Sequence, residues 1–423
     1  MPLAFIVHVK VVGLRGPRGW HRSMGVSISY MGTKREIAPA VVDVINAASG
    51  GVALDAFAGM CSVGEALAPY RQVWTNDVQM FAHDVAAALF TDGDLPIGRI
   101  RISDLHFNRY LAQKETLSRA FSAALRAEAD LILCEKFDEF EALYTDFKNI
   151  LILESARFAG CQFSLFTKLY SDTYFGLSQA IEIDSIIAAI EDVGATGCST
   201  ADQRRWLRIS LGRAVLRTAN STGHFAQYLR PKVGSFRTFI RQRRREIWRE
   251  WLNSADDMEP VGSVDWRKGN KSFNCDCLEL IPQFAYSTER PSVIYADPPY
   301  TDDQYSRFYH LLETLVLYDY PEVTGAGVYR IDRFRTPFSI KSQAAAALDA
   351  LVSAVSNVGA DLVLSYPTNG LIYQTGHDPL TIMKTHFRSV ERCQAISHDH
   401  STFGASKGLA KSAVVEQIFL GRI

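Results

Sequence analysis

The 423-residue sequence is marked first by what it lacks. No apolar run is long enough to cross a bilayer, so no membrane partner is expected. Net charge is nearly absent, with 45 Lys and Arg against 46 Asp and Glu, so any nucleic-acid footprint must be local. Cysteines are few, scattered and odd in number. Cys275 and Cys277, separated by one residue, have poor zinc spacing, and His398 and His400 are too unspecific a pair to predict a metal. Reduced thiols, a bacterial-type cytoplasm and no metal are the simplest reading. The apolar opening MPLAFIVHVKVVGL has neither a basic leader nor a small-residue cleavage site. Met24 reads as a natural start, with residues 1–24 an N-terminal extension. Repeats and low-complexity tracts are also missing.

What remains is a soluble composition on a chain too long for one ordinary domain. Residues 25–95 alternate short apolar runs with helical periods: GVALDAF and QVWTND read as strands, VGEALAPY and VQMFAHDVAAALF as helices. From about 100 to 260 the pattern is mostly helical. Strands return in SVIYAD, ADLVLSY and SAVVEQIFLGR, with helices such as SQAAAALDALVSAV between them. This predicts an α/β sheet domain from residues 25–95 and 265–423, interrupted by a helical insertion over 96–264.

The stretch LDAFAGMCSVGEAL carries Asp55 at a strand end, then Phe57, Ala58 and Gly59, then a helix. Small residues at such a turn let a nucleotide approach the backbone. The loop has no phosphate-binding lysine, and Cys61 stands where a dinucleotide loop would carry a second glycine. A plain strand-to-helix turn fits it equally well. Asp77 closes the next strand, placed to accept the hydroxyls of an adenosine ribose or to cap the following helix.

The sharpest signal is Asp297-Pro298-Pro299-Tyr300, directly after the apolar run SVIYA. Each residue before a proline is pushed away from helical geometry, so the segment stays extended. The proline nitrogens donate nothing, leaving an edge of acceptors. A carboxylate, the fixed carbonyl of Pro298 and the ring of Tyr300 together suit a planar base bearing an amino group. The two acceptors take its two hydrogens and the ring stacks on it. When a methyl group arrives from a sulfonium, positive charge grows on that nitrogen, and Asp297 stabilises it more in the transition state than in the ground state.

With SYMGTKRE, DAFAGMCSVG, TNDVQ, FNCDCLELI, DPPYTDDQYSRFYHLLETLVLYDYP and LVLSYPTNG, the chain resembles adenine-specific DNA methyltransferases of the Dam-like class. TYFGLSQAIEID and RTANSTGHFAQYL resemble one bacterial and phage subfamily of them. The resemblance implies a Rossmann-like class I fold with a mostly parallel seven-stranded sheet and S-adenosyl-methionine as cofactor. It places Tyr30 and Lys34 against the methionine part, with Lys34 suited to its carboxylate. Asp55, Phe57, Ala58 and Gly59 would form the first cofactor loop and Asp77 would bind the ribose. Asp276 would lie near the cofactor adenine, a strand-end cap being its alternative. Asp297, Pro298 and Tyr300 would be the catalytic grip.

The insertion holds RPKVGSFRTFIRQRRREIWREW, dense in Arg with Phe236, Phe239, Trp248 and Trp251 between, and Arg204, Arg205, Arg208, Arg213 and Arg217 nearby. The aromatics read mainly as a buried stripe. Arg241, Arg243, Arg244 and Arg245 are the expected contacts to double-stranded DNA, from which the target base must be flipped. The expected reaction is methylation of the 6-amino group of adenine, either within restriction-modification, where a cognate restriction endonuclease is one candidate partner, or as an orphan or phage methylase. Amino methylation of cytosine or RNA, a non-catalytic DNA-binding module and protein glutamine methylation are the alternatives. The intact Asp297 and the basic insertion count against them.

Overall fold

The computed structural model describes residues 34–68, 70–399 and 413–423. Nine strands lie among them: β1 (Ala53–Asp55), β2 (Val73–Asn76), β3 (Lys271–Phe273), β4 (Val293–Ala296), β5 (Val323–Thr324), β6 (Tyr329–Arg330), β7 (Asp361–Pro367), β8 (Ser389–Asp399) and β9 (Ala413–Arg422). Seven form one sheet in the order β3-β2-β1-β4-β7-β9-β8, and β5 and β6 make a separate hairpin. The pairs from β3 to β7 are parallel, and β9 runs antiparallel between β7 and β8. This is the mostly parallel α/β sheet expected of a Rossmann-like methyltransferase.

The inner strands of the sheet are buried on both faces, and their side chains divide by alternation. Ala53, Val73, Val293, Tyr295 and Val363 point to a layer built by α1 (Ala38–Ala47) and α2 (Ser62–Leu67). Leu54, Trp74, Ile294, Ala296, Leu362 and Leu364 point the other way, onto the helices Cys277–Gln283 and Ala344–Val358. Gly64, in α2, has a structural reason to be glycine: a Cβ there would come within 2.8 Å of the Phe90 ring.

After α3 (Met80–Phe90) come the helices α4 (Arg99–Ala120), α5 (Ser122–Leu133), α6 (Phe137–Arg157), α7 (Leu165–Leu169), α8 (Leu177–Ala195), α9 (Ala201–Thr218), α10 (Phe236–Arg243) and α11 (Ile247–Ala255). They pack in two layers. The inner layer shares one apolar core with α3 and with the helix His310–Leu317, through residues such as Phe81, Ile186, Leu211, Trp251 and Leu312. The outer layer, α5, α6 and α10, has its own core around Phe121, Phe140, Phe147, Phe236 and Phe239. The aromatic stripe of the basic segment is therefore core: Phe236, Phe239 and Trp251 are buried, and Trp248 stacks on Tyr110 at 4.3 Å.

Buried acids serve a repeated purpose here. A helix start leaves backbone N–H groups unpaired, and a carboxylate from another element accepts them. Glu128 accepts from Leu177 and Ser178 at the start of α8, Glu182 from Ile247 and Trp248 at the start of α11, and Asp184 from Phe166 and Thr167 in α7. Glu313, from the helix after the Asp-Pro-Pro-Tyr segment, accepts from Met80 and Phe81 and so pins α3.

Because the inner helices share one core with α3 and the helix His310–Leu317, truncating that core should weaken the whole molecule. Trp251→Ala is expected to cost about 3–5 kcal/mol. Thermal unfolding, followed by circular dichroism and by fluorescence, should move as a single transition to lower temperature. A separate early transition confined to the helices would contradict this.

Candidate active site

The parallel register sets Asp55 beside Tyr295, so the chain leaves β1 and β4 at adjacent strand ends, and both loops open on one cleft. The cleft encloses about 920 Å³ including its open mouth, within the range of small-molecule sites. Asp55, Phe57, Ala58 and Gly59 line one part of it, Asp77 another, and Asp297, Pro298 and Tyr300 a third, with Lys34 among them.

The first loop turns through two left-handed residues, Gly59 (φ 48°) and Cys61 (φ 64°). The buried Cys61 adopts the conformation that a glycine would adopt more readily. Asp77 ties this loop to its own: its carboxylate accepts from the N–H groups of Gly59 and Gln79, both at 2.9 Å. Both alternatives for Asp77 have a basis, since it braces the turn before α3 while lining the cleft. Asp276 caps the helix Cys277–Gln283, accepting from the Leu278 N–H at 3.0 Å. It also lines a smaller recess that shares Phe57, Asp77, Phe334 and Thr336 with the main cleft.

Burial raises the carboxyls around this cleft. Asp55 is pushed up to about 8, mainly by burial and further by the charges of Asp297 and Asp77. Asp77 is raised to about 6 by burial, against the pull of its backbone donors. Asp297 is raised to about 6, by burial first, while Lys34 draws it down and Glu416 pushes it up. A crowd of carboxylates suits a ligand carrying a sulfonium and an ammonium, so these residues fit S-adenosyl-methionine.

Lys34 stands at the centre. Its ammonium donates to Glu416 Oε1 at 3.0 Å and lies 3.1 Å from Asp297 Oδ1, the latter without hydrogen-bond alignment. It also stands 5.2 Å over the Tyr300 ring. Burial alone would lower its pKa, but the two carboxylates outweigh this and hold it well above the ordinary lysine value. The resemblance sets Lys34 against the methionine carboxylate of the donor; in the structure its ammonium also lies against two protein carboxylates. Tyr30, the residue range 1–24 and His400 lie outside the described residues, as does the side chain of His398.

Residues 30–171 and 218–360 match the model of the D12 class N6 adenine-specific DNA methyltransferases, more than half of the chain. The chain belongs to this family. Relatives include modification methylase LlaI of Lactococcus lactis subsp. lactis, 26% identical over 62% of this chain and 39% of its own. Modification methylase StsI of Streptococcus sanguinis is 22% identical over 81% of this chain and 44% of its own. Type II methyltransferase M.FokI of Planomicrobium okeanokoites is 24% identical over 79% and 43%. The chain thus spans less than half the length of each of these relatives.

The arginines of this D12-family chain are not brought to the cleft as a set, and Arg243 needs correction as a DNA contact. It is buried, packed on Phe239 at 4.8 Å and flanked by the charges of Glu128 and Asp172, because α10 turns it into the outer helical core. Arg244 donates to the Ile132 carbonyl and Arg245 to the Arg217 carbonyl, each at 2.7 Å, while Arg241 is exposed. Arg205 pairs with Asp84 and Asp202, Arg208 with Glu191, and Arg213 is buried beside the Ser254 carbonyl. Sequence reasoning missed Gln304, Tyr305, Ser306, Phe334 and Thr336 in the cleft lining. The first three continue the Asp-Pro-Pro-Tyr run and were findable by proximity. Among the described residues no cluster of His, Cys, Asp and Glu gathers as a metal site, and no helix is long and apolar enough to cross a membrane.

The raised carboxyls predict a pH dependence of stability. Between the unfolded aspartate value near 4 and the folded value of about 8, the folded chain keeps a proton on Asp55 that the unfolded chain has lost. That contribution is fully present below about pH 4 and disappears as pH rises through about 8. Asp55→Asn should therefore raise the melting temperature of the ligand-free chain relative to wild type at pH 8.5, with little difference near pH 4. Equal melting curves at both pH values would contradict the assignment.

Proposed function

We propose that this chain transfers a methyl group from S-adenosyl-methionine to the 6-amino group of an adenine flipped out of double-stranded DNA. The observation that carries the reading is a single cleft shared by the Asp55–Gly59 loop, Asp77 and the Asp297–Tyr300 segment. In family terms these are the donor half and the acceptor half, and here they face one volume. The modification-methylase names of the relatives support a role in restriction-modification, with a cognate restriction endonuclease as partner, in the cytoplasm where the DNA is.

The bound donor supplies an electrophilic methyl on a sulfonium. This chain's residues do the rest. Asp77 accepts the ribose hydroxyls while keeping Gly59 in place. Asp276, which lines the adjoining recess, faces the adenine of the donor. Asp297 and the Pro298 carbonyl accept the two hydrogens of the target amine, and Tyr300, half of an edge-to-face pair with Tyr366 at 6.5 Å, presents its ring to the base. As bonding begins, the amine nitrogen becomes positive, and the Asp297 carboxylate stabilises it. The proton then leaves the nitrogen toward that carboxylate. Because Asp297 is raised to about 6, the rate should fall as pH drops below about 6 and the carboxylate is lost.

Residues 96–264 we assign to DNA recognition, with exposed Arg241 and Arg244 as phosphate contacts. Arg241→Ala should weaken DNA binding and lower the slope of log affinity against log salt by about one. Arg243→Ala should lower the melting temperature instead. An unchanged salt slope for Arg241→Ala would remove it from the interface.

The decisive test is expression in a host free of DNA methylation, followed by modification-sensitive single-molecule sequencing. Methyl-adenine in one sequence context is expected. Asp297→Ala should abolish it, lowering kcat at least about 10²-fold with donor affinity nearly intact. Marks on cytosine would support the cytosine alternative, and marks that survive Asp297→Ala would refute the role of that side chain.

A further inference from the structure

We propose that Glu416 is a positioning residue for methyl transfer: it anchors the Lys34 ammonium so that Asp297 stays open to the target amine. The inference rests on the reading above. Glu416 lies on β9, beyond the residues that match the family model, and sits in register with Pro367 of β7. It is buried beside Lys34, and its Oε1 accepts from Ser365 Oγ at 2.6 Å and from Lys34 Nζ at 3.0 Å.

Two carboxylates compete for one ammonium. A buried lysine has three donors and no acceptor, and a charge-assisted bond to a carboxylate is the strongest use of them. Without Glu416, Asp297 would be the nearest carboxylate, and its oxygen would be taken by the ammonium rather than by an incoming amine. With Glu416 present, the aligned bond goes to Glu416, and the contact with Asp297 at 3.1 Å is an ion pair without that alignment. Lys34 thus draws Asp297 toward its ionised form while its aligned bond goes to Glu416. Two carboxylates around one ammonium also leave a net negative charge where the amine nitrogen turns positive. Ser365 holds Glu416 from the adjacent strand, so the anchor belongs to the sheet and not to a loop.

A purely structural Glu416 would neutralise buried Lys34 and do nothing more. The two readings differ in whether turnover follows the titration of Asp297, which is faced by Lys34, by Asp55 from β1, by Tyr295 from β4, by Tyr300 and Tyr305 beyond β4, and by Glu416. Replacing Glu416 with a neutral isostere removes a negative charge near Asp297 and lets Lys34 turn to it. Both changes favour the Asp297 carboxylate and move its midpoint to lower pH.

The test compares wild type with Glu416→Gln, each checked first by melting temperature and by calorimetric binding of S-adenosyl-methionine. Nuclear magnetic resonance of protein labelled with [γ-¹³C]aspartate, assigned through Asp297→Asn, reads the Asp297 midpoint directly. A downward shift is expected, with the acid limb of kcat following it, kcat at its plateau lowered about ten-fold or more and KM for the donor unchanged. An unmoved or raised midpoint overturns the proposal, as does a wild-type kcat. Should Glu416→Gln fail to fold, Ser365→Ala removes the anchor's hydroxyl and leaves every charge. It should lower kcat and spare KM, and a wild-type kcat there also overturns the proposal. If wild type itself leaves adenine unmethylated, the functional reading fails, and an unmoved or raised midpoint still overturns the anchor.

Discussion

One ammonium between two carboxylates, Glu416 buried and Asp297 half-buried, organises the site. Lys34 brings together a segment before the first helix, the end of β4 and the last strand, joining positions 382 residues apart in the chain. Burial of Asp297 or Glu416 alone would be costly, and a carboxylate buried without a partner would take up a proton. The shared cation makes both tolerable. It also sets the electrostatic character of the cleft, where Asp55, Asp77 and Asp297 crowd together with Lys34 as the facing cation. Such a site suits a positively charged donor and a nitrogen that becomes positive.

The same logic extends outward through the acids that cap distant helices. Glu313 follows the Asp-Pro-Pro-Tyr segment in sequence, yet it holds the start of α3, which itself begins just after Asp77. The part that would grip the base and the part that would hold the ribose are therefore braced against each other by two backbone hydrogen bonds. Asp77 in turn holds the Gly59 loop. Pre-organisation of this kind lets a carboxylate stabilise developing charge without rearranging during the reaction.

Much of the fold was legible from period alone. β1, β2, β4 and β7 read as strands because both their faces are apolar, and Ala344–Val358 read as a helix from its spacing. Asp297 was legible because two prolines leave few conformations for the residues before them. Glu416 left no such trace: in VVEQIFLG it is one polar residue in a strand, and only the β7–β9 register shows what it faces. The arginines misled for a related reason. A run such as RQRRRE has the same composition whether it lies on a surface or wraps a helical core, and only packing distinguishes buried Arg243 from exposed Arg241. The short strand β3 and the long antiparallel β8 lacked the apolar runs that announce the inner strands, being partly exposed at the sheet's edges.

The central claim is geometric: donor loop and acceptor clamp serve one reaction in one cleft. The most direct measurement is a crystal structure of the chain with an unreactive donor analogue and a duplex containing its methylation site. The account predicts an extruded adenine whose amino nitrogen lies within ~3 Å of the Asp297 carboxylate and the Pro298 carbonyl, facing the donor analogue across the cleft. An adenine still stacked in the duplex, or one held away from Asp297 with the donor seated elsewhere, would contradict it.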